Sequence, residues 1–355
     1  MTLKDELKHT YAALHEEAMA QAAGRWSHVA KPLNSLGVLE NHIVRIAGIT
    51  GSPQIDIEKK ALVVMCADNG VVDEGVTQTG REVTAVVTEN FTRGNSCACI
   101  MAKRAGADVF PVDIGVDAEL KDWGINPLVR RKIRRGTRDF LLEPAMTADE
   151  AEKAVRTGME LAEELKKKGY GIIATGEMGI GNTTTSSAVL AAMTGLPAEA
   201  VTGRGAGLDD AGLRRKREVI DRGLALRRPK RSDGWDILEK VGGLDLAGLA
   251  GVFIGGAVNG IPVVVDGFIS AAAACAAALI FPPCPAFMLG SHKSGEPGME
   301  RAMELLGLET VIDGGLRLGE GTGALALMPL LDMAADIYGT MSTFSQIEIE
   351  EYKSL

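Results

Sequence analysis

Apolar residues recur at helical spacing over the first fifty positions, one stripe running through Leu3, Leu7, Ala12, Leu14 and Ala18 and a second through Leu36, Leu39, Ile43 and Ile46. The first stripe reads as one charged amphipathic helix over 3–23, and the segment 31–37, rich in Pro, Asn, Ser and Gly, reads as the loop between them. From Ala61 the texture changes. Short β-branched runs at 61–66, 109–113, 170–174, 262–265 and 286–289 are each followed by a loop and a helical pattern. This alternation predicts parallel βαβ units and an α/β fold with a Rossmann-like, doubly wound parallel sheet. The run 268–281 is mostly alanine and shorter than the ~20 residues a membrane span needs, so it predicts a packed internal helix. A last apolar helix over 323–338 is expected to return to the N-terminal helices. That pairing divides the chain into a small helical domain, 1–55 with 324–355, and a large α/β domain, 56–323.

Composition narrows the class. Of 355 residues, 46% are hydrophobic and 24% charged, which suits a globular core rather than disorder or a membrane bundle. The net charge of −9 argues against nucleic acid as a partner, because a phosphate backbone is held by clustered Lys and Arg. The basic runs at 130–138, 214–217 and 227–231 read as solvated faces, with Lys216 set aside. Cys66, Cys97, Cys99, Cys275 and Cys284 form no C-x-x-C pair and are expected to be buried reduced thiols. A basic segment followed by an apolar run is not seen at the start, so a cytoplasmic location is expected.

In an open parallel sheet, ligands bind beyond the carboxyl ends of the strands, and three loops there carry chemistry. Thr175-Gly176-Glu177-Met178-Gly179-Ile180-Gly181-Asn182-Thr183 leads into a helix, a pattern that converges backbone amides on an anion. Gly176 and Gly181 have the spacing of a nucleoside-triphosphate loop, but Asn182 stands where the lysine belongs, which favours a single phosphate over a triphosphate. Gly203-Arg204-Gly205-Ala206-Gly207 precedes a second helix that carries Lys216, either a phosphate ligand or a surface lysine among arginines. The third loop, Leu318-Gly319-Glu320-Gly321, lies ahead of an apolar helix. A carboxylate there is partly desolvated, which raises its pKa toward a general base's range, unless Glu320 is an ordinary helix-start residue.

Read with Ala67-Asp68-Asn69-Gly70-Val71 and Glu74-Gly75-Val76-Thr77, these loops resemble the nicotinate mononucleotide:dimethylbenzimidazole phosphoribosyltransferase family. The resemblance runs nearly end to end and includes the strings at 34–40, 242–247, 265–269, 291–298 and 342–344. It implies a homodimer without cofactor or metal that moves ribose 5-phosphate from nicotinate mononucleotide to an aromatic base, making the lower-ligand nucleotide of cobamides. By position, Glu320 resembles the family's general base, and Glu177 and Lys216 its partners of the ribose phosphate. Gly179, Gly181, Asn182, Thr183, Gly203 and Gly205 correspond to its phosphate cradle, and Asp68, Asn69, Thr77 and Leu318 to further substrate-binding positions.

The chemistry suits one carboxylate. The pyridine nitrogen of the mononucleotide is cationic and departs as a neutral amine, whereas the attacking ring nitrogen must lose a proton. Attack from the opposite face turns a β-linked nucleotide into an α-linked one. Several positions differ from the family pattern: Asn69 for His, Thr77 for Ser, Gln78-Thr79-Gly80 without its proline, Ala206 for Thr and Met299 for His. The first of these differences fall where the resemblance implies the base pocket. A non-catalytic subunit of a heteromeric transferase and a small-molecule kinase are the competing readings. The first is opposed by Glu320 and the second by Asn182.

Overall fold

The computed structural model describes residues 2–352. Six strands, β1 (Lys60–Ala67), β2 (Ala107–Gly115), β3 (Val129–Arg130), β4 (Ile172–Met178), β5 (Val263–Val265) and β6 (Met288–Gly290), form one parallel sheet in the order β3-β2-β1-β4-β5-β6. The chain winds outward in both directions from β1 and β4, so a crevice opens between their carboxyl ends, where Met65 pairs with Glu177 and Cys66 with Met178.

Every residue of β1 is buried because helices cover both faces of the sheet. Ala61, Val63 and Met65 face the helices Ala148–Lys167, Leu244–Asn259 and Phe268–Ile280. Leu62, Val64 and Cys66 face Glu16–His28, Val38–Thr50, Cys97–Ala105 and Thr322–Thr340. The two chain ends touch on this second face. The rings of Trp26 and Tyr338 meet edge to face at 5.2 Å, Arg25 donates to Gly339 O at 2.8 Å, and Tyr338 donates to Pro53 O at 2.8 Å. Among the described residues, no helix is long and apolar enough to cross a membrane.

The structure departs from the sequence expectations in five places. The first stripe is two helices, Leu3–Lys8 and Glu16–His28, because each has its own partner: Leu3 N–H and Glu6 bond to Glu152 and Arg156 of the Ala148–Lys167 helix, while Glu16–His28 packs on Val38–Thr50. The two-residue β3 is an added strand, too short for any periodicity to show and set in a basic run. β4 continues to Met178, so Glu177 projects from a strand end rather than a loop. Cys97 is exposed at the first position of its helix, whereas the other four thiols are buried. The 130–138 run is largely paired with carboxylates, for example Arg131 with Glu164 and Arg138 with Glu150.

The helices Ala148–Lys167 and Leu244–Asn259 cross backbone to backbone at Gly158 and Gly251, where an added methyl would overlap the facing main chain. Gly251→Ala gains up to ~1 kcal/mol of helix propensity but meets a rigid carbonyl, and overpacking costs roughly 1–3 kcal/mol. The clash is larger, so the variant's denaturant midpoint is expected to fall below that of the wild type. A rise in midpoint would show that the crossing can yield.

Candidate active site

The loops beyond β1, β4, β5 and β6 enclose a cavity of about 280 Å³. One end of it is built from glycines and one amine. Gly181, at φ 91°, ends the short loop after β4 and starts the helix Asn182–Thr194, placing Thr183 in its first turn. Lys216 lies on the helix Asp210–Arg227. The sequence reads as a row of exposed cations, but Gly212, Val219, Ile220 and Gly223 share a face with Lys216, and that face is buried. Only 1% of Lys216 is exposed, and its ammonium donates to Thr183 Oγ1 at 2.8 Å and Gly203 O at 3.3 Å. Burial lowers its pKa to about 8, with Glu296 opposing the shift. Gly205 faces the same ammonium, and a side chain there would crowd Thr183 Oγ1 at 2.8 Å. Two bonds hold the covering loops together: Gln78 Nε2 donates to Gly207 O, and Arg215 donates to Gly75 O at 3.3 Å.

The carboxylate end centres on Glu177 and Glu320. Gly319, Glu320 and Gly321 all have positive φ (88°, 60° and 87°), and Glu320 is one of few non-glycine residues there. The turn lies against β4 at Gly176, where a β-carbon would approach Glu320 O to 2.6 Å, so only glycine admits it. This turn projects the half-buried Glu320 carboxylate toward the helix Cys97–Ala105, whose Ala98 N–H donates to Oε2 at 3.2 Å. Burial raises the Glu320 pKa, and the Ala98 amide and Ser96 hydroxyl partly oppose that. Glu177 is pushed up to about 8 by burial, against the Asn182 amide and with Asp245 and Asp266 adding to the rise.

Asn182 lines the cavity with its side chain turned to the carboxylate end. Its backbone N–H bonds to Gly179 O at 3.0 Å, and its side-chain amide donates to the carboxylates of Glu177 and Asp245, the latter at 3.2 Å. One NH₂ group thus holds two buried carboxylates apart, and burial raises Asp245 to about 6. Asp68, Asn69 and Gly203 do not line the cavity. Asp68 accepts Asp117 N–H at 2.7 Å, and Asn69 lies wholly buried beneath Gly179 and Gly181 with its amide toward Ile180 O. Gly203 backs onto Glu296. Thr77 and Leu318 do line it, although the Thr77 hydroxyl is taken by Thr79 O at 2.8 Å. Val76, Val87, Met178 and Phe268 supply apolar wall.

Four further residues border the cavity that sequence reasoning gave no role: Asp266, His292, Ser294 and Glu296. Glu296 Oε2 is buried without a hydrogen-bond partner and lies near Lys216. The position of Asp266 and His292 just beyond β5 and β6 was the available signal.

A doubly wound sheet with a glycine-rich helix start, a buried lysine and a carboxylate around one crevice is the arrangement of an enzyme that takes an anionic ligand. The phosphoribosyltransferase family model matches residues 11–349, and the chain belongs to that family. The nicotinate-nucleotide--dimethylbenzimidazole phosphoribosyltransferase of Acetivibrio thermocellus is 46% identical over 340 residues, covering 96% of each chain. The protein of the same name from Geobacter sulfurreducens is 44% identical over 352 residues, covering 99% of each. The crystal structure of CobT from Thermus thermophilus superposes with a TM-score of 0.89 at 40% identity, over 94% of this chain and 99% of that one.

Proposed function

We propose that the chain transfers ribose 5-phosphate from nicotinate mononucleotide to dimethylbenzimidazole or a related aromatic base, releasing nicotinate in the assembly of the cobamide nucleotide loop. The observation that carries this reading is one cavity with Lys216 and the glycine loops at one end and the glycine-flanked Glu320 at the other. The monoester binds Lys216, Thr183 and the helix start after Gly181. Glu320 takes the proton from the attacking ring nitrogen, and the same carboxylate favours the positive charge that develops at the ribose carbon. Incubation with nicotinate mononucleotide and dimethylbenzimidazole is expected to release nicotinate without added nucleoside triphosphate. A requirement for ATP would favour the kinase reading instead.

The placement of Asn69 changes what its replacement should do. Asn69→His puts an imidazole under Gly179 and Gly181, so the Michaelis constant for the mononucleotide is expected to rise while the ranking of bases stays. Thr77→Ser, on the cavity wall, is expected to alter base preference instead. Competition between dimethylbenzimidazole and adenine checks both, and the opposite pattern would return Asn69 to the base pocket.

A cytoplasmic homodimer, with 1–55 and 324–355 as its helical lobe, belongs to the same reading. The contacts between Trp26 and Tyr338 support the lobe. The exposed apolar side chains Val86, Ile100, Trp123 and Ile125 are ones a second copy would cover. Light scattering is expected to give twice the chain mass of 37.4 kDa.

A further inference from the structure

Asp266 follows β5 and is 2% exposed. Its Oδ1 accepts the Ala324 N–H at 2.9 Å, and the amides of Gly267 and Gly323 also turn toward the carboxylate. Gly323 and Ala324 stand in the first turn of the helix Thr322–Thr340, immediately after the turn that presents Glu320. The near side of that turn rests on Gly176 of β4, and Asp266 holds its far side. A side chain at Gly323 would collide with His292, whose ring is also set. Ser291 Oγ lies 2.6 Å from Val265 O, 3.0 Å from Asp266 O and 3.0 Å from His292 Nδ1. A hydroxyl has one hydrogen, and a carbonyl takes it, so Ser291 accepts from His292 Nδ1–H. The imidazole is thereby oriented beside Asp266.

We propose that Asp266 is the positioning residue for the general base. It ties β5 to the start of the last helix, fixing the Glu320 turn. Burial raises the pKa of Asp266 itself, and His292 and the amides of Ala324, Gly267 and Gly323 oppose that rise and favour its ionised form. The inference rests on Glu320 being the base. The ionisable groups around Glu320 are Glu177 from β4, Asp266 from the β5 loop, His292 from the β6 loop and Arg317 from its own segment. Arg204, Lys216 and Glu296 stand toward the phosphate end of the same cavity, and Ser96 and Ala98 supply uncharged donors. A nearby negative charge disfavours a second one, so Asp266 raises the Glu320 pKa and its neutralisation lowers it.

The test is the pH profile of kcat for wild type, Asp266→Asn and Asp266→Glu with nicotinate mononucleotide and dimethylbenzimidazole. Wild-type turnover comes first, since no nicotinate release there would sink the functional reading rather than this one. Asp266→Asn keeps the shape and one acceptor but loses the charge. Charged hydrogen bonds are roughly twice as strong as neutral ones, so kcat is expected to fall by roughly tenfold. The acid limb should move to lower pH, with the mononucleotide constant unchanged. Asp266→Glu keeps the charge but displaces the tie, so kcat should fall with the limb in place. A wild-type limb and kcat in Asp266→Asn would overturn the proposal. If that variant does not fold, wild-type kcat in Asp266→Glu overturns it as well.

Discussion

Glu320→Gln is expected to lower kcat by about 10²–10⁴-fold while leaving the mononucleotide constant near the wild-type value, because glutamine keeps the shape and loses the basicity. The proposed phosphate end does not depend on the residue: Lys216 is held by Thr183 Oγ1 and Gly203 O without it. The base must be ionised to accept a proton, so wild-type kcat should fall as pH drops through the Glu320 pKa, which burial raises above the ordinary carboxylate value. That limb should vanish in Glu320→Gln. Glu177, also raised by burial, to about 8, is a second candidate for the limb, and Glu177→Gln separates the two. It should retain the limb if Glu320 carries it. Backbone conformation supplies an independent check. Glu320 sits at φ 60°, where a side chain costs roughly 1–2 kcal/mol and glycine does not. Glu320→Gly should therefore abolish turnover without lowering the unfolding midpoint, since the strain belongs to presenting the carboxylate. Near wild-type turnover in Glu320→Gln with its acid limb intact would refute the assignment.

The β1, β2, β4, β5 and β6 strands were legible because each is a buried apolar run between loops and helices, and the end of β4 was misjudged because Thr175, Gly176 and Glu177 look like loop residues. They belong to the strand because they pair with Val63, Val64 and Met65 of β1, and glycine at 176 leaves room for the Glu320 turn. The glycine loops and Glu320 could be read locally, since their composition states their backbone geometry. Asn69 could not. Its place after β1 suggested the cavity wall, whereas the depth of the loop is set by Gly179 and Gly181 packing over it, a contact between segments 110 residues apart. The partners of the Asn182 side chain were hidden for a related reason: a helix start does not show that the carboxylates of Glu177 and Asp245, from other segments, occupy its amide. Asp266 and His292 were marked only by their position just beyond β5 and β6, and the tie across β5, β6 and the last helix shows what they hold.

Lys216→Met should lower kcat/KM for nicotinate mononucleotide by about 10–150-fold, nearly all of it through the Michaelis constant, because a charge-assisted bond to a phosphate is worth roughly 1.5–3 kcal/mol. Methionine fits the buried stem, so the helix Asp210–Arg227 should keep its packing through Val219 and Ile220. The lost group is an ammonium that the protein already holds at a cost. Burial lowers the Lys216 pKa to about 8, and its bonds to Thr183 Oγ1 and Gly203 O are uncharged partners that a phosphate would supplement with negative charge. The sign of the pH effect follows. The cation is present below about 8 and is lost as pH rises through that value, so wild-type kcat/KM should decline on the alkaline side while kcat with saturating substrate declines less, since bound phosphate favours the charged amine. In Lys216→Met this alkaline decline should disappear. Nicotinate riboside, which lacks the phosphate, completes the cycle: it should be a poor donor for both proteins, with the two kcat/KM values within a few-fold of each other. An equal loss for riboside and mononucleotide would mean that Lys216 serves the fold of the loop 202–208 and not the phosphate.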